Sequence, residues 1–142
     1  MIILGEIDCR AHFVPNNLGN GINDFRKIAY SFKNKILQLQ KDFSLGAAMI
    51  LSPIPPSDIG SENPSYPRVG TLDERIAVTR LITQSLIELS NQDFWVLNLG
   101  DILATDRGEL NSVYTDDGVH VNSIGALKVL KKVPIFFGAN VG

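Results

Sequence analysis

The sequence predicts an α/β domain built as a three-layer sandwich, with a parallel β-sheet between helices. The first observation is a set of short apolar runs, Met1-Ile2-Ile3-Leu4, Ala47-Ala48-Met49-Ile50-Leu51 and Phe94-Trp95-Val96-Leu97-Asn98-Leu99, that are continuous rather than alternating. Such runs suit strands buried on both faces. The second is that the segments between these runs carry apolar residues three or four positions apart, the spacing of an amphipathic helix. Strand, helix, strand, helix, strand, loop, helix is the resulting order, and right-handed crossovers turn it into a parallel sheet covered on its faces.

In chain order, the first strand ends at Gly5 and is followed at once by Glu6, Asp8 and Arg10. Open α/β sheets keep their ligand crevice at the carboxyl ends of the strands, so Gly5, Glu6, Asp8 and Arg10 are candidate substrate-binding residues. Pairing of Asp8 with Arg10 is the purely structural alternative. His12 and an Asn- and Gly-rich loop over residues 15–21 lead to a helix over 22–43. Its stripe is Ile22, Phe25, Ile28, Ala29, Phe32, Ile36, Leu39 and Phe43, with Lys27, Lys33, Lys35 and Lys41 off it, so its aromatic residues are read as sheet-facing core. The second strand is stopped by Ser52-Pro53-Ile54-Pro55-Pro56, since proline cannot continue a ladder. Residues 57–70 show no period and read as a long loop, a candidate lid or substrate edge. Thr71 with Glu74 forms a capping box, and Val78, Leu81, Ile82, Leu86 and Leu89 place a helix over 72–90. The third strand follows, then a polar stretch over 100–114, then a helix over 124–132 capped by Asn122 and Ser123.

Composition bounds the function. The 142 residues are 44% hydrophobic and 20% charged, which fits one globular domain over 1–142 with a tail from 133 onward. A net charge of −2 gives no basic footprint for nucleic acid and no polybasic patch for membranes. The lone Cys9 excludes an internal disulfide and a multi-cysteine metal site, in keeping with a reducing, cytoplasmic location. No run approaches the roughly 20 apolar residues of a membrane span, and nothing at the N-terminus reads as a signal peptide.

The stretch richest in chemistry is Tyr114-Thr115-Asp116-Asp117-Gly118-Val119-His120-Val121-Asn122. A carboxylate that accepts one ring N–H of a histidine leaves the other nitrogen free to act as base, and it stabilises the imidazolium that forms. Asp117 and His120 are spaced for that relation in a local turn, with Gly118 allowing the chain to fold tightly. Asp116 is a rival partner for the histidine. The bland alternative is a turn-capping Asp117 beside an exposed loop histidine.

Asp117-Gly118-Val119-His120-Val121-Asn122, followed by Gly125 in a helix, resembles the last block of the SGNH, or GDSL-like, hydrolases, in which a D-x-x-H supplies the aspartate and histidine of a Ser-His-Asp triad. Residues 1–8 are similar to the family's strand ending in G-x-N-D, and the proline-ended second strand agrees with it too. The resemblance extends from Ile2 to about Lys132. It implies a flavodoxin-like sheet and hydrolysis of carbohydrate or lipid esters, with His120 transferring the proton and Asp117 orienting it. No metal or organic cofactor is implied.

Two departures accompany the resemblance. Ile7 stands where the family has asparagine, and losing one oxyanion donor typically costs about a hundredfold or more in rate. No serine lies in a G-D-S context: Ser52, Ser57, Ser61 and Ser65 follow the second strand, while Ser112 and Ser123 read as turn and cap residues. The expectation is therefore a domain lacking the family's first strand and helix, inactive as an isolated chain. Loss of that strand would leave residues 2–4 as an apolar sheet edge, open to pairing or covered by Pro134-Ile135-Phe136-Phe137. The alternative function is a noncatalytic module on the same fold, binding a glycan or a partner through Glu6, Asp8, Arg10 and His120. A mononucleotide binder is weaker still, since only residues 16–21 faintly suggest a phosphate loop.

Overall fold

In a computed structural model, the described residues are 2–3, 22–60, 64 and 67–133. They form β1 (Ile2–Ile3), α1 (Ile22–Asp42), β2 (Ala48–Leu51), α2 (Leu72–Glu88), β3 (Phe94–Leu97), a single-turn α3 (Gly100–Leu103), a 3₁₀ turn (Ser112–Tyr114) and α4 (Ser123–Leu130). The strands lie in the order β1-β2-β3, and both pairings are parallel. Ile50 sits opposite Ile2 on one side and Val96 on the other. The fold is the predicted α/β sandwich with a small parallel sheet, of flavodoxin-like kind.

The two faces of the sheet follow from strand pleating, which sends successive side chains to opposite sides. Ala48 and Ile50 of β2 and Phe94 and Val96 of β3 pack with Phe32 and Ile36 of α1. Behind them, Phe25 and Ala29 of α1 meet Val78, Ile82 and Leu86 of α2. Met49, Leu51 and Leu97 point the other way, into a cluster with Ile102, Leu103, Leu110 and Val129. Every residue of β2 and β3 except Trp95 thus meets an apolar layer, which is why the runs are continuous.

The capping box forms as expected, with Thr71 accepting the Glu74 N–H and Glu74 accepting the Thr71 N–H. Three differences from the sequence reading stand out. Phe43 is 68% exposed rather than core, because α1 stops at Asp42 and the chain turns away through Ser44 at φ 49°. β3 ends at Leu97, two residues early, because the Asn98 side-chain oxygen accepts the Gly100 N–H and turns the chain into α3. The stretch over 100–114 is not merely polar: Ile102, Leu103 and Leu110 are core residues. Those three sit among polar neighbours without a period, so no sequence pattern announces them. No helix among the described residues is long and apolar enough to cross a membrane. β1 is one of the two edge strands of the described sheet, and residues 134–137, the expected cover, lie outside the described residues.

Phe94 is fully buried between Ile36 and Ile50, and the Lys33 ammonium lies 5.7 Å from its ring centre. Phe94→Ala is expected to cost about 3–5 kcal/mol, read as a lower urea midpoint at unchanged slope.

Candidate functional site

The chemistry-bearing loop follows β3 and α3 and is closed at its base by backbone pairing. Asn122 N–H donates to Tyr114 O at 2.9 Å, and Thr115 bridges Val121 in antiparallel fashion. Inside that clasp, Thr115 is buried, and its hydroxyl accepts the Gly118 N–H at 2.8 Å. Thr115 was not singled out by sequence, although a threonine three residues before a glycine is a recognisable side-chain-to-backbone turn signal.

Within this frame the Asp117 carboxylate gathers four donors, the Thr115 hydroxyl at 3.4 Å from Oδ1 among them. Its Oδ1 accepts the N–H groups of Val119 and His120 at 2.8 and 2.7 Å, and its Oδ2 lies 2.6 Å from His120 Nδ1. The His120 contact first, and the two backbone N–H groups next, hold the Asp117 carboxyl well below the usual carboxylate range. An ionised carboxylate only accepts, so Nδ1 carries the proton in this pair and the neutral ring keeps its lone pair on Nε2. The histidine side chain is 82% exposed and that of Asp117 52% exposed, so Nε2 is open to an incoming group. Asp116 works elsewhere. Its carboxylate accepts from Asn122 Nδ2 at 3.1 Å, while Asn122 Oδ1 caps α4 by accepting from Ile124 and Gly125.

The loop is buttressed from behind by the segment after β2. Gly118 and Gly60 both have positive φ, 78° and 81°. A Cβ on Gly118 would overlap the Ile59 carbonyl, and one on Gly60 would overlap the Asp117 carbonyl. The two turns therefore touch backbone to backbone. Arg68 donates to the carbonyls of Asp58, Ile59 and Gly60. Arg75, nearly fully buried, pairs with the Asp58 carboxylate and donates to Gly70 O at 2.8 Å. The described start of the expected lid is thus a fixed support for the histidine loop. No sequence signal links Arg68, Arg75 and Asp58, because only tertiary packing brings them together.

Gly5, Glu6, Asp8 and Arg10 lie outside the described residues, as do Ile7, Cys9, His12 and the stretch over 16–21. Among the described residues, no serine hydroxyl is hydrogen-bonded to His120. Ser52 is fully buried, its Oγ accepting the Leu99 N–H at 2.9 Å and donating to Pro53 O, and the Ser57 Oγ accepts the Ile59 N–H at 2.8 Å. Ser112 and Ser123 begin the 3₁₀ turn and α4. No group of three or more His, Cys, Asp or Glu among the described residues is gathered to hold a metal.

Gly118→Ala is expected to lower stability by about 1–3 kcal/mol or more, from positive φ together with overlap on Ile59, and a thermal melt reads it directly. Because the folded Asp117 pKa lies below its unfolded value, its contribution is complete above about pH 4 and fades as pH falls through the folded value. The Asp117 carboxylate carbon should accordingly keep its ionised NMR shift below about pH 4. In long-range ¹⁵N spectra of the neutral ring, His120 should be Nδ1-protonated, and Asp117→Ala should move it toward the Nε2–H tautomer.

No protein-family model matches the chain, and no curated protein matches it. Among solved structures it is similar to one from Streptococcus pneumonia described as a candidate platelet activating factor, with a TM-score of 0.58 and 20% identity over 84% of this chain and 52% of that one. The chain spans about half the length of that neighbour. At this identity the likeness is one of fold, and it agrees with the parallel α/β sandwich described above.

Proposed function

We propose that this domain supplies the general base and its orienting carboxylate to an SGNH-type hydrolase of carbohydrate or lipid esters. The observation that carries the reading is the 2.6 Å contact between Asp117 Oδ2 and His120 Nδ1 in a loop held rigidly beyond β3, with Nε2 open to solvent. The sequence resemblance supports it, and so does the fold. In this reading residues 1–142 correspond to the family's later blocks, and the nucleophilic serine comes from outside residues 1–142. The serine oxygen bonds to the acyl carbonyl carbon as His120 Nε2 takes its proton. The ester C–O bond then breaks, and the leaving alkoxide receives that proton. Water repeats the sequence on the acyl-serine, releasing the acid and restoring the serine. Asp117 remains ionised throughout, fixing the ring and balancing the imidazolium.

The chain by itself should hydrolyse an aryl acetate no faster than free imidazole, since two members of a triad retain little of its effect. In a form that also carries a G-D-S segment, His120→Ala should lower kcat/KM by about 10³-fold or more at unchanged fold. Undiminished hydrolysis by that variant would overturn the assignment. His120-dependent hydrolysis by the chain alone would instead put the nucleophile within it.

The second reading is a noncatalytic module binding a glycan or partner at the rim formed by Glu6, Asp8, Arg10 and His120. Ile7 in place of an oxyanion asparagine favours it. It predicts that no form of the protein loses esterase activity on His120→Ala.

A further inference from the structure

We propose that the groove between α2 and the segment over 98–108 is a binding site for a neutral, hydroxyl-rich ligand of monosaccharide size. The groove has a volume of about 480 Å³, within the range of small-molecule sites, and no residue of the His120 loop lines it. It lies beside the residues that follow β2 and β3, with Pro53 and Asn98 among its lining.

Its polar groups are the argument. Thr79 is 7% exposed and lines the groove, yet its Oγ1 has no hydrogen-bond partner among the described residues. Thr105 Oγ1, on the loop that lines the groove opposite α2, is likewise buried without a partner. Buried hydroxyls are ordinarily satisfied, and both orphans belong to residues lining one groove, to which a χ1 rotation would present them. Asn98 commits its side-chain oxygen to the Gly100 N–H and so keeps its NH₂ as a donor.

Charge selects the class of guest. Glu88 is occupied by Arg26 and Gln84, which leaves Arg80 and Asp101 as the charges without a charged partner among the described residues. Arg80 gives one Nη2 N–H to Arg107 O at 3.0 Å, and Asp101 sets an opposite charge in the same groove. An anionic ligand would face Asp101, and a cation would face Arg80. A ligand hydroxyl both donates and accepts, as do the two threonines, and the apolar sides of Pro53 and Ile76 suit the C–H face of a pyranose. The wall is fixed in advance: Gly108 N–H donates to Thr105 O at 2.9 Å and Leu110 N–H to Pro56 O at 2.8 Å.

The test is a ¹H–¹⁵N NMR titration of the whole chain with D-glucose and with N-acetyl-D-glucosamine, and with glucose 6-phosphate as the anionic counterpart. A neutral sugar should give saturable shifts at Thr79, Asn98 and Thr105 and none at His120. Thr79→Val should weaken binding about tenfold, Thr79→Ser should retain it, and Thr105→Val, in a surface turn, should repeat the loss. Absence of saturation up to about 100 mM would overturn the proposal, as would undiminished affinity in both valine variants or preference for the phosphate. Shifts centred on residues 115–122 would overturn it too, placing any sugar contact at the histidine loop. His120→Ala leaves this binding unchanged, so the outcome is separable from the hydrolase reading.

Discussion

The site depends on one close approach, the backbone contact between the turn at Ile59 and Gly60 and the turn at Asp117 and Gly118. Both turns need positive φ, and neither leaves room for a Cβ. That contact ties the segment leaving β2 to the loop that follows β3. Arg68 and Arg75 hold the first turn from its own side, through three carbonyls and the Asp58 carboxylate. Thr115 holds the second through the Gly118 N–H. A single added methyl group would push the two segments apart and take the histidine with them.

With the backbone fixed in this way, the electrostatics are local. Asp117 accepts from its own turn and from the ring three residues on, so its charge is stabilised without deep burial. The pair is too exposed for its attraction to add much stability, because solvent screens surface ion pairs. Its effect is geometric: it sets the tautomer and direction of the ring, while the clasp at Tyr114 and Asn122 sets the loop. Asp116 sits next to Asp117 yet works on the helix cap, because the turn sends the two carboxylates toward different partners. Neighbouring acids of the same type thus divide orientation of the base from capping of the helix.

The groove along α2 has the opposite character. There two threonine oxygens are buried and unpartnered, whereas in the His120 loop every Asp117 contact is satisfied near solvent. α2 is buried on much of its circumference because one side meets α1 and the other meets the turn around Gly108, where Ile76 packs. This explains why its apolar stripe is less sharply bounded than that of α1. Ser85, for instance, is buried on α2 and satisfied by the Leu81 carbonyl of its own helix.

Residue sequence alone determined the strands, the three longer helices, the capping box at Thr71 and the suspicion attached to Asp117 and His120. These are local properties: apolar runs, helical spacing, and side chains that reach backbone two or three residues away. The single turn of α3 and the burial of Ile102, Leu103 and Leu110 escaped the sequence, because scattered apolar residues acquire meaning only against the far face of β2 and β3. Phe43 followed the helical period and still came out exposed, because the period cannot say where the sheet ends. The support given by Asp58, Arg68 and Arg75 and the groove along α2 were decided by tertiary structure. Each depends on segments far apart in the chain meeting at van der Waals distance, and no spacing within one segment records that.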